Sequence, residues 1–215
     1  MLAAPGRPRK PRAGAIAVRP SHPEENSTMQ PSRPSRRVAL GAIALSLLAV
    51  GADEPKQSVD AGGMTMQVPK AWKASKPKSS QMRRAQLAIE PSKGDKDPAE
   101  LVVYAFDGNV GGVKANVERW ESQFKDKDGN VAKAKTETRK VGDVEVTVVE
   151  IAGRYVAPVS PGAAEKYDKA DYRLLGAFVP ASGRTFILKM VGPDKTLKDA
   201  KPDFDAMVKS IKLAD

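Results

Sequence analysis

The chain has 215 residues, 36 Lys and Arg against 26 Asp and Glu, a net charge of +10, no cysteine and a single histidine. That histidine, His22, lies near the N-terminus, so everything from residue 23 onward lacks both His and Cys. This removes Ser-His-Asp and Cys-His catalysis, His/Cys zinc sites, and haem or iron–sulfur ligation from that part of the chain.

The excess charge is not spread evenly. Residues 1–37 hold eight of the basic residues and two of the acidic ones, and residues 38–52 hold neither. Residues 53–215 therefore carry 28 basic and 24 acidic side chains, a mixed surface rather than the basic stripe of a nucleic-acid binder. No nucleic-acid partner is expected.

Met1–Thr28 is rich in Pro and Arg with no apolar period, and reads as a disordered basic tail or as residues ahead of a true start at Met29. Arg36-Arg37 then precede an uncharged, mostly apolar run, Val38–Ala52, that ends in the small residues Gly51-Ala52 before Asp53-Glu54-Pro55. This is the layout of a secretory signal peptide over residues 29–52, with cleavage expected after Ala52. The run falls short of the ~20 residues that span a bilayer, and with no cysteine the leader cannot be lipidated. Ser35–Leu40 also partly matches a twin-arginine motif. The expectation is export to the periplasm or outside, with no stable anchor after cleavage. A cysteine-free chain entering an oxidising compartment has to be stabilised by its core alone.

Residues 53–63 read as a polar linker and residues 64–215 as one domain, a length that needs no covalent staples. In chain order, Met64–Val68 alternates and stops at Pro69, Lys73–Ser80 is polar and reads as a loop, and Met82–Glu90 alternates weakly with Ala85, Leu87 and Ile89 on one face. Leu101–Phe106 is continuously apolar, as in a strand covered on both faces. Val113, Val117, Trp120 and Phe124 form one stripe of a helix, with Glu121 and Lys125 as an i,i+4 pair. Ala132–Thr138 alternates weakly. Val144–Val148 alternates cleanly, and the phase change at Val149-Glu150-Ile151 predicts a bulge. Tyr172–Val179 and Arg184–Val191 predict a hairpin about Pro180–Gly183. Phe204, Met207, Val208 and Ile211 predict a final helix, with Pro202 in its first turn. The sum is an α+β domain whose mainly antiparallel sheet of about six to seven strands is flanked by helices.

Three phrases resemble exported bacterial proteins of the PsbP-like superfamily: Val68-Pro69-Lys70-Ala71-Trp72-Lys73, Gly111-Gly112 leading to Asn116, Arg119-Trp120 and Phe124, and Phe186–Pro193 before a helix ending Lys209-Ser210-Ile211. The resemblance spans about Met64–Leu213 and implies an α/β/α sandwich. Known members are mostly non-catalytic; one stabilises a photosynthetic complex and another binds a small GTPase. No motif here matches either of those binding surfaces, so neither partner is carried over.

The chemistry-bearing candidates are few. Gly108–Gly112 precedes a helix, but its spacing is neither a P-loop nor a dinucleotide fingerprint, and a turn is the expected role. Asp126, Asp128, Asn130 and Glu137 echo positions 1, 3, 5 and 12 of a calcium loop, with Val131 where glycine is required. Trp120 is expected in the core. Tyr155–Asp171 is long and punctuated by prolines, and such segments are commonly functional or disordered. The candidate binding residues are thus Tyr155, Lys166, Tyr167 and Asp171, with Gly111, Gly112, Asn116 and Arg119 beside them. No catalytic residue, metal ligand or cofactor is expected. The expected role is binding to a protein or envelope component; the alternatives are a hydrolase using paired carboxylates and calcium-assisted binding.

Overall fold

The structure, a computed structural model, describes residues 56–75, 82–108, 111–160 and 162–214. The chain divides into the units Met1–Ala49 and Val50–Asp215, and every described residue belongs to the second. The signal peptide and its cleavage point lie outside the described residues.

The elements in order are β1 (Lys56–Asp60), β2 (Met64–Pro69), β3 (Lys73–Ala74), β4 (Arg83–Ile89), β5 (Ala99–Asp107), α1 (Gly112–Glu121), β6 (Phe124–Lys125), β7 (Lys135–Val141), β8 (Val144–Tyr155), β9 (Lys169–Ala181), β10 (Arg184–Pro193), α2 (Asp194–Lys209) and β11 (Lys212–Leu213). The main sheet runs β3-β4-β5-β10-β9-β8, and both β6 and β7 pair with β8. A second sheet has the order β1-β2-β11. Every pairing is antiparallel.

The two helices cover opposite faces of the main sheet. On one face Leu101, Val103, Leu175, Ala177, Phe186, Leu188 and Met190 meet Leu197, Phe204, Met207 and Val208 of α2, and Met64, Met66 and Val68 of the small sheet join the same cluster. On the other face Trp120 and Phe124 meet Val149, Ile151, Leu174, Phe178 and Ile187. This is the α/β/α arrangement that the PsbP-like phrases imply, with eight strands in the main sheet and three in the second.

Several elements differ from expectation. Lys56–Asp60 is a strand rather than linker: its polar side chains bury little, but it adds a ladder along β2 from Lys56↔Pro69 to Asp60↔Thr65. Lys73-Ala74 likewise pairs with β4. The first helix stops at Glu121, and Phe124, buried at the end of the apolar stripe, belongs to β6. Glu121 reaches Lys133 at 3.2 Å and accepts the Ala134 N–H rather than pairing with Lys125. Ala132 precedes β7, which begins at Lys135.

The phase change in β8 is not a bulge. Its register against β9 runs unbroken from Thr147↔Phe178 to Gly153↔Tyr172 and shifts only before Tyr155. Val146 and Val148 face the α2 layer, while Val149 and Ile151 face the α1 layer. One regular strand thus exchanges its buried face halfway along, because the two helices cover different ends of it.

The last helix begins eight residues before Pro202, which sits exposed in its interior. Its own N-cap, Pro193, offers no side-chain bond. Asp95 supplies the cap instead: its Oδ2 accepts the Thr196 backbone N–H at 2.9 Å and the Thr196 hydroxyl at 2.6 Å. Arg173 fastens β9 to both β8 and α2, pairing with Glu150 and, at 2.7 Å, with Asp194. Burial would raise the Asp194 pKa, but the bonds from Lys198 and Arg173 outweigh it and hold the carboxyl below its usual value.

Candidate functional site

The face of the main sheet that carries α1 is only partly covered. Beyond the end of α1 lies a groove of about 420 Å³. Its floor is Arg83 of β4, Glu100, Val102 and Tyr104 of β5, and Lys189 and Val191 of β10. One wall is Arg119 and Gln123 at the end of α1; the other is Tyr155 with Ala157–Ser160 and Tyr167. A recess of about 300 Å³ shares Glu100, Tyr155, Tyr167 and Val191 and adds Asp97, Lys169 and Tyr172. All four tyrosines of the chain (Tyr104, Tyr155, Tyr167 and Tyr172) line this pair of cavities.

Local structure places each of them. The connection from β8 to β9 closes on itself through Tyr167 N–H to Ala157 O (2.8 Å), Val159 N–H to Glu165 O (3.1 Å) and a bridge between Pro158 and Lys166. It is tied to the turn after α1 by Val156 N–H to Gln123 O (2.8 Å) and pinned by the Arg154–Asp168 ion pair. The tyrosine rings follow as a stack: Tyr155 lies parallel to Tyr172 with centroids 6.0 Å apart and against Tyr167 at 5.6 Å, while Phe124 supports it from the core at 5.0 Å. Burial pushes the Tyr155 phenol up to about 12, so it remains a hydrogen-bond donor at any physiological pH. The Tyr172 hydroxyl donates to Asp97 at 2.7 Å, where Lys169 also donates at 2.8 Å. The bonds from Lys169 and Tyr172 hold the Asp97 carboxyl below its usual value.

Three cations converge on the other side. Arg83 lies over the Tyr104 ring, 5.5 Å from its centroid. Arg119 donates to Asn116 Oδ1 at 2.6 Å, and Lys189 donates to Gln123 Oε1 at 2.7 Å above the Trp120 ring. Arg139, Arg154, Arg173 and Arg184 each pair with a carboxylate. Among the described residues, no carboxylate lies within ion-pair distance of Arg83, Arg119 or Lys189. The groove therefore presents three cations against one carboxylate, Glu100, which accepts a hydrogen bond from Gln86.

Lys189 carries the clearest electrostatic signature. Burial, reinforced by the Arg119 charge, brings its ammonium down from 10.5 to about 8. Between pH 8 and 10.5 the unfolded chain still holds a proton that the folded one has lost, so stability rises with pH across that window. Below it the full penalty is present. Lys189→Met is accordingly expected to stabilise the domain at pH 7 by about 1–2 kcal/mol and to abolish the rise between pH 8 and 10. Urea unfolding at pH 7 and pH 9.5 checks this, and a destabilised variant would contradict it.

Of the candidates from sequence, the structure brings Tyr155, Tyr167 and Arg119 together in the groove. Lys166 and Asp171 are exposed and line neither cavity; Asp171 adopts a φ of 52° within β9. Gly111 is the N-cap of α1, and Gly111 and Gly112 take φ values of 79° and 71°, the left-handed turn that lets the helix fold back on the sheet. Gly112 and Asn116 line a separate cavity of about 260 Å³, and Asn116 donates to the Gly112 carbonyl at 2.8 Å. Arg83, Glu100, Tyr104, Gln123 and Lys189 were not legible as site residues. A lone lysine inside Phe186–Val191 was the one signal available, since a charge in a strand covered on both faces needs a reason.

The acidic candidates do not assemble. Asp126 Oδ1 accepts the N–H groups of Asp128 and Asn130, each at 2.9 Å, and so closes a turn, whereas Glu137 pairs with Arg139 at 2.9 Å. No group of His, Cys, Asp and Glu among the described residues is arranged to hold a metal ion. Nor is any helix among them long and apolar enough to cross a membrane.

A scan of the sequence against protein-family models and a search of curated proteins both find no match. Solved structures similar in fold include the cyanobacterial PsbP (CyanoP) of Synechocystis sp. PCC 6803, at 14% identity and a TM-score of 0.47 over 77% of this chain and 95% of that one. Protein PA94 of Pseudomonas aeruginosa is similar at 13% identity and a TM-score of 0.44 over 72% of this chain and 94% of that one. LpqN, involved in cell envelope biogenesis of Mycobacterium tuberculosis, is similar at 11% identity and a TM-score of 0.45 over 75% of this chain and 91% of that one.

Proposed function

We propose that this is an exported, non-enzymatic binding protein that engages a component of the cell envelope through the groove beyond α1. One observation carries the reading: every tyrosine of the chain and three cations without carboxylate partners line the same cavities, while Arg139, Arg154, Arg173 and Arg184 are each paired with a carboxylate. Tyrosine offers a large, rigid contact surface with a polar tip at little entropic cost, which suits a recognition surface. Arginine and lysine without partners add attraction for an anion. The leader reading supports export, and the mature terminus is expected at or near Asp53. N-terminal sequencing of the protein recovered outside the cytoplasm checks this; an intact Met1 or Met29 terminus would contradict it.

In-cell crosslinking of the tagged protein, followed by mass spectrometry, tests the binding role. An adduct reproducible with the wild type and lost in the paired variant Tyr167→Ala, Arg119→Gln supports the reading. An adduct pattern indifferent to both substitutions removes the groove from the function.

A further inference from the structure

We infer that the ligand of this groove is an acidic saccharide, held by its anionic group on Arg83, Arg119 and Lys189 and by its ring faces on tyrosine. This rests on the binding role proposed above and names the chemistry of its occupant.

The argument starts from what the groove lacks. Its floor is the inner part of the main sheet, where β5 and β10 are paired on both sides and β4 is paired with β5 along its length and with β3 at Leu87 and Ala88. The backbone donors and acceptors of β5 and β10 are spent on neighbours, so an extended peptide lying across them would find no strand edge to pair with, the usual source of its affinity. Recognition has to come from side chains.

Beside the carboxylates Glu100 and Asp97 and the apolar lining, the side chains present are of three kinds. Cationic donors come from two strands and one helix: Arg83 on β4, Lys189 on β10 and Arg119 on α1. A guanidinium fork matches a planar carboxylate, and no protein carboxylate occupies these two. Neutral polar groups follow, the tyrosine hydroxyls with Gln123 and Ser160, which suit a ligand dense in hydroxyl and ether oxygens. Aromatic surface is the third kind: Tyr167, 40% exposed, ends the stack on Tyr155 and lines both cavities. A sugar ring presents axial C–H faces to such a surface and hydroxyls around its rim. A pyranose bearing a carboxylate or a phosphate combines all three demands. The two adjoining cavities, about 420 and 300 Å³, lie in the range of small-ligand sites. They give room for more than one sugar unit.

Lys189 supplies an independent readout. It shares the groove with Arg83 from β4, Glu100 and Tyr104 from β5, Arg119 from α1, Tyr155 from β8 and Tyr167 from the connection. Its depressed ammonium, at about 8, shifts upward when an anion arrives beside it. Binding therefore takes up protons near pH 8 and weakens as the pH rises from 7 to 9.5.

The test presents the full chain to an array carrying oligosaccharides in neutral, uronic-acid and phosphorylated forms, followed by calorimetry on the strongest binder. Retention confined to the charged forms is expected, and the uronate and phosphate arms show which anion the site takes. Arg119→Gln and Tyr167→Ala, both at exposed positions, should each weaken binding about tenfold or more. Lys127→Gln, on the exposed turn after β6, should leave it unchanged. Proton uptake in buffers of different ionisation enthalpy should vanish in Lys189→Met. Equal retention of neutral forms, an empty array, or full affinity in the Arg119 and Tyr167 variants would overturn the inference. An empty array together with a protein adduct lost in the paired variant would overturn the saccharide while leaving the binding role intact.

Discussion

Replacing Phe204 by alanine is expected to cost about 4 kcal/mol, a large share of the stability of a domain this size. Phe204 is fully buried in the core cluster where α2 packs between the main sheet and β2. Removing the ring leaves a cavity lined by residues that are themselves strand-bound, such as Leu188 and Met190, and that cannot collapse into it. Neither disulfide nor metal is available to offset the loss, because the chain has no cysteine and the described residues hold no metal cluster. Urea unfolding at 25 °C should show the midpoint falling with little change in slope. A loss below about 1.5 kcal/mol would mean that the α2 layer repacks freely and is not the anchor described above.

Gly153→Ala is expected to cost about 3 kcal/mol or more, and to reach the groove as well. Gly153 holds a φ of 153°, and a Cβ there would be driven into the carbonyl oxygen of Lys125. Lys125 belongs to β6, which pairs with Arg154 and Tyr155 at the end of β8, and the register of β8 against β9 shifts at this point. Any side chain at 153 must push β6 off β8. That movement withdraws Phe124 from beneath Tyr155 and disturbs the stack that Tyr167 completes. The variant should therefore be less stable and show altered near-ultraviolet dichroism from the tyrosines. Wild-type stability with unchanged dichroism would contradict the close approach.

The sequence showed most clearly what has a strong period. The stripe Phe204, Met207, Val208, Ile211 is buried as expected, and the hairpin around Pro180–Gly183 forms with strands longer than the apolar runs suggested. The start of α2 was hidden because its cap is Asp95, far away in the chain, so Pro202 stood out as the nearest familiar start signal. Strands β1, β3 and β11 were hidden for another reason. Their side chains are polar and mostly exposed, so pairing with a neighbouring strand defines them.

The groove divides the same way. Tyr155 and Tyr167 were legible because a long proline-marked segment draws attention, and Arg119 because it flanks Trp120. Yet the residues opposite them come from strands read only as core. Tyr104 sits in the apolar run Leu101–Phe106, and Lys189 in Phe186–Val191. That both point into one groove depends on the order β4-β5-β10-β9, which puts Lys189 next to Val102 and Gly176 across strands. Gly176 in turn has to be glycine, since a Cβ there would collide with the Trp120 ring that Lys189 overlies. Such adjacency is a property of the assembled sheet, and no local pattern carries it.

The central claim, that the groove is where this protein meets its ligand, is tested most directly by placing a photo-crosslinking amino acid at Tyr167 in the full chain. A parallel chain carries the same probe at Lys127, on the exposed turn after β6. Irradiation in intact cells should yield a defined adduct from position 167 and none from position 127. Adducts of equal yield from both positions, or from 127 alone, would show that the groove is not the contact surface.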